Sequence, residues 1–230
     1  MQTGNNSVIH SWQTHSKNVS LPQLEVILNN FQSCPVIYHT RHKACYLIPE
    51  EISGLPYKVV FKHYRERRFF RYLFRPSQAY REFLGFAGVQ SAGIPTAEVL
   101  ALGERRSMLK LTEAFFVTRY LENYRDGNEF VSGGDPDLRD EFIRQNLSLL
   151  AKLHRAGFVH GGFHPRNELF RINDDGKMEV IWIDLATVRK AAASRKFTQE
   201  NDLDRFMCEF EFSGEQENSW REFYRTCRDS

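Results

Sequence analysis

At 230 residues the chain is long enough for one generous domain or two small lobes with a real core. Its 41% apolar and 26% charged residues, with 19 phenylalanines, describe a soluble globular protein with a Phe-rich interior and exclude a disordered or collagen-like chain. The formal net charge of +2 gives no global case for nucleic acid as a partner; where the charge sits matters more than its sum. Cys34, Cys45, Cys208 and Cys227 form no CxxC and no metal-ligand spacing, so they read as reduced thiols. The start lacks the basic and apolar regions of a signal peptide, and no apolar run is long enough to span a bilayer. The expected location is cytoplasmic.

Residues 1–20 are polar and predict a loosely ordered tail. Cys34–Tyr38 and Cys45–Ile48 are short strand-like runs around a basic turn of His39, Arg41, His42 and Lys43. SGLP breaks the chain, and Tyr57–Lys62 carries the β-branched and aromatic signature of another strand. Ser77 can cap a helix in which Tyr80, Phe83, Leu84 and Ala87 recur at helical spacing, and AGIP ends it. Strands around Thr96–Leu102 and Ala114–Tyr120 follow, then a polar, Gly-rich passage from Asn123 to Asp135. DPDLRDEF is the clearest helix start: Asp135 caps, Pro136 suits the first turn, and Asp137, Asp140 and Glu141 complement the dipole. Ile143, Leu147, Leu150 and Leu153 form its buried stripe, and Gly157 terminates it. Leu169–Ile172 and Glu179–Ile183 predict a hairpin on Asn173-Asp174-Asp175-Gly176, with helices near Thr198–Phe210 and Ser219–Cys227. The fold class this implies is α+β: a polar tail (1–20), a small β-rich lobe (21–121) and an abbreviated helical lobe (122–230), with a ligand expected in the crevice.

Between the long helix and the hairpin lies HGGFHPRN, His160–Asn167, and beyond it the apolar-flanked Asp184 of VIWIDLA. Phosphoryl transfer is mostly positioning and charge neutralisation, and the residues it needs are present in order. Lys62 ends the strand VVFK, where its ammonium can meet nucleotide phosphates, and Glu82 in YREF can orient it. Asn167 and Asp184 offer a neutral and a charged oxygen, the hard donors Mg²⁺ prefers. A carboxylate in an apolar strand end is costly unless paired or bound to metal. A third feature is KHYRERRFFRYLFR, in which Arg65, Arg67, Arg68, Arg71 and Arg75 interleave with aromatics against the single acid Glu66. Arginine forks suit phosphate and carboxylate, and a basic-aromatic surface suits an anionic membrane face. The same run reads equally well as a solvated helix face with core aromatics.

Together these residues resemble the protein-kinase-like superfamily, and within it the bacterial lipopolysaccharide core kinases (the Kdo and heptose kinase group). The loop is also similar to the H-G-D-x-H-x-x-N of aminoglycoside and choline phosphotransferases. The resemblance runs from about Val36 to Phe206 through VVFK, AYRE, SAGIPTAEVLALGE, the hinge FFVTRYLE, LHRAGFVHGGFHPRN, VIWIDLA and ENDLDRF. IDLA in place of D-F-G, with no long activation segment, favours the small-molecule or glycolipid branch.

The resemblance implies a bilobal protein-kinase-like fold that uses ATP and Mg²⁺. Lys62 and Glu82 would act on the nucleotide, with Tyr120 at the hinge, and Asn167 and Asp184 on the metal. The acceptor would be a sugar hydroxyl of lipopolysaccharide core or another anionic glycolipid, met by the arginine run at the cytoplasmic face of the inner membrane. Two departures stand out. Gly162 occupies the position of the expected catalytic Asp, and general-base help contributes roughly 10²–10⁴-fold in enzymes at large. His164, whose pKa range suits a base, is a possible substitute. No Gly-rich phosphate loop lies between the first strands, so Arg41 and Lys43 are candidates to hold phosphates by side-chain charge. Two alternatives stay open: a pseudokinase that binds or scaffolds without transfer, and a phosphotransferase for a soluble amine or aminoglycoside.

Overall fold

The computed structural model describes residues 5–9, 12–65, 76–107, 110–193 and 198–230. These form two compact units, Met1–Phe83 with Ala97–Leu121, and Leu84–Thr96 with Glu122–Ser230.

The first unit is β-rich. In chain order it holds β1 (Asn5–Ile9), β2 (Trp12–Ser16), α1 (Leu21–Asn30), β3 (Val36–His39), β4 (Lys43–Ile48), α2 (Glu50–Ser53) and β5 (Val59–Arg65). Helix α3 (Gln78–Ser91) follows, beginning in this unit and ending in the second, and then β6 (Val99–Ser107) and β7 (Lys110–Arg119). The strands make one antiparallel sheet in the order β1-β2-β6-β7-β5-β4-β3. The polar start, expected to lie loosely, supplies the first two of these strands: Trp12, Thr14 and Ser16 turn inward while β2 pairs with β6. Three inward residues, two of them hydroxylic, leave too faint an apolar alternation to announce a strand.

Helix α1 was also unforeseen, although its capping box is written in the sequence. Ser20 accepts from the Gln23 amide while the Gln23 side chain reaches back to the Ser20 amide. Leu24, Ile27, Leu28 and, just beyond, Phe31 pack with Ala44, Tyr46, Phe61 and Phe115 on one face of the sheet. Phe31 stacks on Phe61 at 4.6 Å between ring centres. Because side chains alternate along a strand, the register that sends Phe61 and His63 to that face sends Lys62 and Tyr64 to the other.

The second unit holds β8 (Arg125–Asp126), α4 (Asn128–Val131), α5 (Pro136–Arg155), β9 (Phe158–Val159), β10 (Glu168–Ile172), β11 (Met178–Trp182), β12 (Arg189–Lys190), α6 (Gln199–Met207) and α7 (Gly214–Asp229). Asp135 caps α5 by accepting from the Asp137 and Leu138 amides at 2.9 and 3.1 Å. The expected stripe of Ile143, Leu147, Leu150 and Leu153 is fully buried. The β10–β11 hairpin turns on Asn173–Gly176; Gly176 sits at φ +74, and the Asn173 side chain accepts from the Lys177 amide at 2.8 Å. Phe142, Phe163, Phe170, Trp182 and Phe206 form an aromatic core between these elements. The Trp182 indole meets its hydrogen-bond demand by donating to buried Asn146 at 2.9 Å.

Candidate active site

In the first unit the structure brings Lys62 and Glu82 together. Lys62 Nζ and the Tyr64 hydroxyl both donate to the Glu82 carboxylate, one to each oxygen. Glu82 is wholly buried and the Lys62 side chain is 10% exposed. A buried carboxylate with two donors is held in one orientation, and removing either partner would leave a costly charge behind. Glu82 reaches this place because Ser77 caps α3, its hydroxyl accepting from the Tyr80 amide at 3.0 Å. Lys43 lies opposite Tyr64 in the register and so shares the Lys62 face; its ammonium stands 5.8 Å from both the Tyr38 and Tyr64 rings. Arg41 is exposed in the β3–β4 turn, and Tyr120 follows β7 with its amide donating to the Lys58 carbonyl at 2.9 Å. Arg65, at the exposed end of β5, pairs in register with Glu113. Arg67, Arg68, Arg71 and Arg75 lie outside the described residues.

On the opposite face, buried His63 contacts Glu113 at 2.7 Å. That hydrogen bond holds the Glu113 carboxyl below its usual range, against the opposing effect of burial.

The second unit assembles the loop. One backbone bond ties the two segments together: the Ile183 amide donates to the Asn167 carbonyl at 2.9 Å, and Asp184 is the next residue along. Both side chains are half-buried. Asp184 adopts φ +56, a left-handed backbone that is uncommon for a residue with a Cβ and that costs on the order of 1–3 kcal/mol. Among the described residues no group of three or more His, Cys, Asp or Glu is suited to a metal. One amide oxygen and one carboxylate match instead the sparse protein donor set of Mg²⁺, whose other ligands come from water and phosphate.

The loop's shape is fixed from beneath by Asp202 on α6, which sequence reasoning passed over. Its carboxylate is 1% exposed and accepts from the His160 and Gly161 amides, each at 2.6 Å, and it meets His154 Nε2 at 3.1 Å. His154 Nδ1 lies 2.6 Å from the Tyr224 hydroxyl of α7. Burial pushes the Tyr224 phenol up to about 12, so it stays neutral, and the carboxylate beside Nε2 calls for a proton on that nitrogen. A faint signal existed: Asp202 and Phe206 stand four residues apart on the inward stripe of an otherwise polar helix. Gly85 of α3 was also missed. A Cβ there would stand 1.9 Å from the Leu185 carbonyl oxygen, so only glycine lets α3 touch the backbone next to Asp184.

His160 is fully buried, its ring against Phe163 and Trp182 and without a hydrogen-bond partner among the described residues. Burial pulls its pKa down to about 4, so it is a neutral packing group. His164 accepts the Arg166 amide at Nδ1 (3.2 Å) and sets Nε2 3.1 Å from Glu209. That arrangement places the proton on Nε2, and burial lowers the ring's pKa. Burial also raises the Glu168 carboxyl well above the usual range, against backbone amides of His164 and Glu168 that favour its charged form. Gly162 is half-buried, and Thr187 faces the room its missing side chain would take.

A Lys–Glu pair on an antiparallel sheet with a long helix, and an Asn and Asp presented by loops around a hairpin, define a protein-kinase-like domain. Residues 57–226, most of the chain, match the lipopolysaccharide kinase (Kdo/WaaP) family, and the chain belongs to it. Among solved structures it is similar to WaaP in complex with acyl carrier protein, with a TM-score of 0.66 and 18% identity over 90% of this chain and 84% of that one. At that identity the likeness establishes the fold. No curated protein matches the chain.

Proposed function

We propose that this chain is an ATP- and Mg²⁺-dependent phosphotransferase whose acceptor is a sugar hydroxyl of lipopolysaccharide core. The observation that carries the reading is a strained Asp184, its segment tied to Asn167 by the Ile183 backbone bond, next to a loop whose His160 and Gly161 amides are held by buried Asp202. Backbone strain held in place by surrounding structure points to a functional site. In this reading Lys62, oriented by Glu82, neutralises nucleotide phosphates, while Asn167 and Asp184 hold the metal. Bound Mg²⁺ would supply charge neutralisation at the phosphates. His164 acts as a base only if its bond to the Arg166 amide opens, since that bond occupies its lone pair.

The family supports the acceptor class, and the arginine run supports an anionic surface for it. On this basis the protein works in the cytoplasm, peripheral to the inner membrane. Among the described residues no helix is long and apolar enough to cross a membrane.

The test is calorimetry of ATP with and without Mg²⁺, on the wild type and Asp184→Ala. Binding that requires both the metal and Asp184 supports the reading; no binding at millimolar nucleotide ends it. A second reading, a nucleotide-binding scaffold, is favoured by one observation, the absence of a carboxylate at Gly162. Binding with no transfer to core oligosaccharide in the wild type, but transfer on adding a carboxylate at 162, would select it.

A further inference from the structure

We infer that the Thr187 hydroxyl stands in for the side chain missing at Gly162 and holds the acceptor's hydroxyl for transfer. The inference rests on the phosphotransferase reading above. A Cβ built on Gly162 would lie 2.9 Å from Thr187 Oγ1, with the Thr187 Cβ and Cγ2 farther off at 3.8 and 3.9 Å. The hydroxyl is therefore the part of Thr187 that points into the vacated room. A carboxylate oxygen on an aspartate at 162 would stand somewhat nearer its own Cβ than this, so Oγ1 puts a polar oxygen beside the room that side chain would fill.

Three further observations make the hydroxyl available to a ligand. Gly162 and Thr187 are both only half-buried, so solvent and substrate reach them. Oγ1 forms no hydrogen bond with the described residues, whereas the Thr187 carbonyl is tied down by Arg189 Nε at 3.0 Å. Thr187 also follows Asp184 by three residues, within a turn closed by the Val188 amide donating to the Leu185 carbonyl at 3.1 Å. The segment that presents the metal-ligand candidate thus presents this hydroxyl.

Thr187 accepts a hydrogen bond from the acceptor's O–H and aims the acceptor oxygen's lone pair. As the new bond from that oxygen to phosphorus forms, the bond from phosphorus to the bridging oxygen breaks and ADP departs. The acceptor's proton moves to Oγ1 as the threonine's own proton moves to an oxygen of the transferred phosphoryl group, so the threonine ends the step unchanged. Without a carboxylate the step is slow but complete.

The test is a cycle on the full-length protein, with ATP and deacylated lipopolysaccharide core oligosaccharide as substrates. Each variant is also measured for MgATP affinity and melting temperature. Thr187→Ala should lower kcat/KM for the oligosaccharide by roughly five- to tenfold, the worth of one hydrogen bond, and Thr187→Ser should restore it. MgATP affinity and melting temperature should stay at wild-type values in both. Gly162→Ala should reproduce the loss by turning the hydroxyl away, and adding Thr187→Ala to it should cost nothing more, because both changes remove one contact. Gly162→Asp should accelerate transfer only when combined with Thr187→Ala, which clears the room for the carboxylate. Wild-type rates in Thr187→Ala, or additive losses in the cycle, would overturn the inference while leaving the kinase reading intact. A wild type that binds MgATP but transfers to neither the oligosaccharide nor water would overturn this inference together with the phosphotransferase reading and leave the nucleotide-binding scaffold. A wild type that binds no MgATP would overturn both.

Discussion

Removing the Asp202 carboxylate should be among the most damaging single changes in the second unit. Asp202→Ala strips the acceptor from three donors at once: two backbone amides at 2.6 Å and the His154 Nε2–H at 3.1 Å. All three sit in the interior, where a donor left without a partner costs about 1–3 kcal/mol. Water entering the space left by the carboxylate offsets part of this, and the three losses share one site, so they do not sum fully. A net cost of about 3–5 kcal/mol is expected. That is a large fraction of the roughly 5–15 kcal/mol that holds a typical domain together. Asp202→Asn keeps one carbonyl oxygen but turns an NH₂ group toward a donor, so it should lie between wild type and alanine. The assay is urea unfolding at pH 7 followed by tryptophan fluorescence, since Trp182 is packed against His160 of the same loop. Losses below about 1 kcal/mol in both variants, or asparagine worse than alanine, would refute the claim that this carboxylate clamps the loop.

Two other perturbations probe the same framework. Gly85→Ala forces a Cβ to 1.9 Å from the Leu185 carbonyl oxygen, a backbone atom that cannot swing aside. Overpacking of this kind costs about 1–3 kcal/mol, and here it also displaces Asp184, so Mg²⁺-dependent ATP binding should weaken by more than the stability loss alone explains; unchanged binding in a folded variant would refute it. His160 takes up a proton near pH 6.5 when unfolded and only near pH 4 when folded. The unfolded chain therefore binds more protons across that window, and this residue makes stability fall as pH drops from 6.5 to 4, with a slope reaching about 1.4 kcal/mol per unit. His160→Phe should remove that slope, and matching pH profiles for the two proteins would show that burial does not set the histidine's pKa.

Local signals made half of this molecule legible in advance. The capped start of α5, the Asn-Asp-Asp-Gly turn and the alternation of VVFK each depend on residues within a few positions of one another. Lys62 and Glu82 were readable as a pair because a strand and a capped helix fix where their side chains point. Asp202 was not, because its role lies in accepting backbone amides some forty residues away, and those donors are not written as side chains. Gly85 was invisible for a similar reason: a small residue in a helix is unremarked until a carbonyl from another element lies against it. The N-terminal strand β2 was lost because its inward residues are mostly polar. Helix α1 was different, for its capping box stood in plain view and was masked only by polar neighbours.

The two glycines of HGGF have different physical reasons. Gly161 holds φ +73, a conformation that a Cβ would strain, while its amide donates to Asp202. Glycine is required there by the backbone. Gly162 has no such φ, so the backbone conformation does not call for glycine there. The atom closest to a Cβ at 162 is the Thr187 hydroxyl, at 2.9 Å. The clamp under the loop and the strained Asp184 are both present beside this glycine. The strain at Asp184 costs stability, and the surrounding structure has to hold it in place.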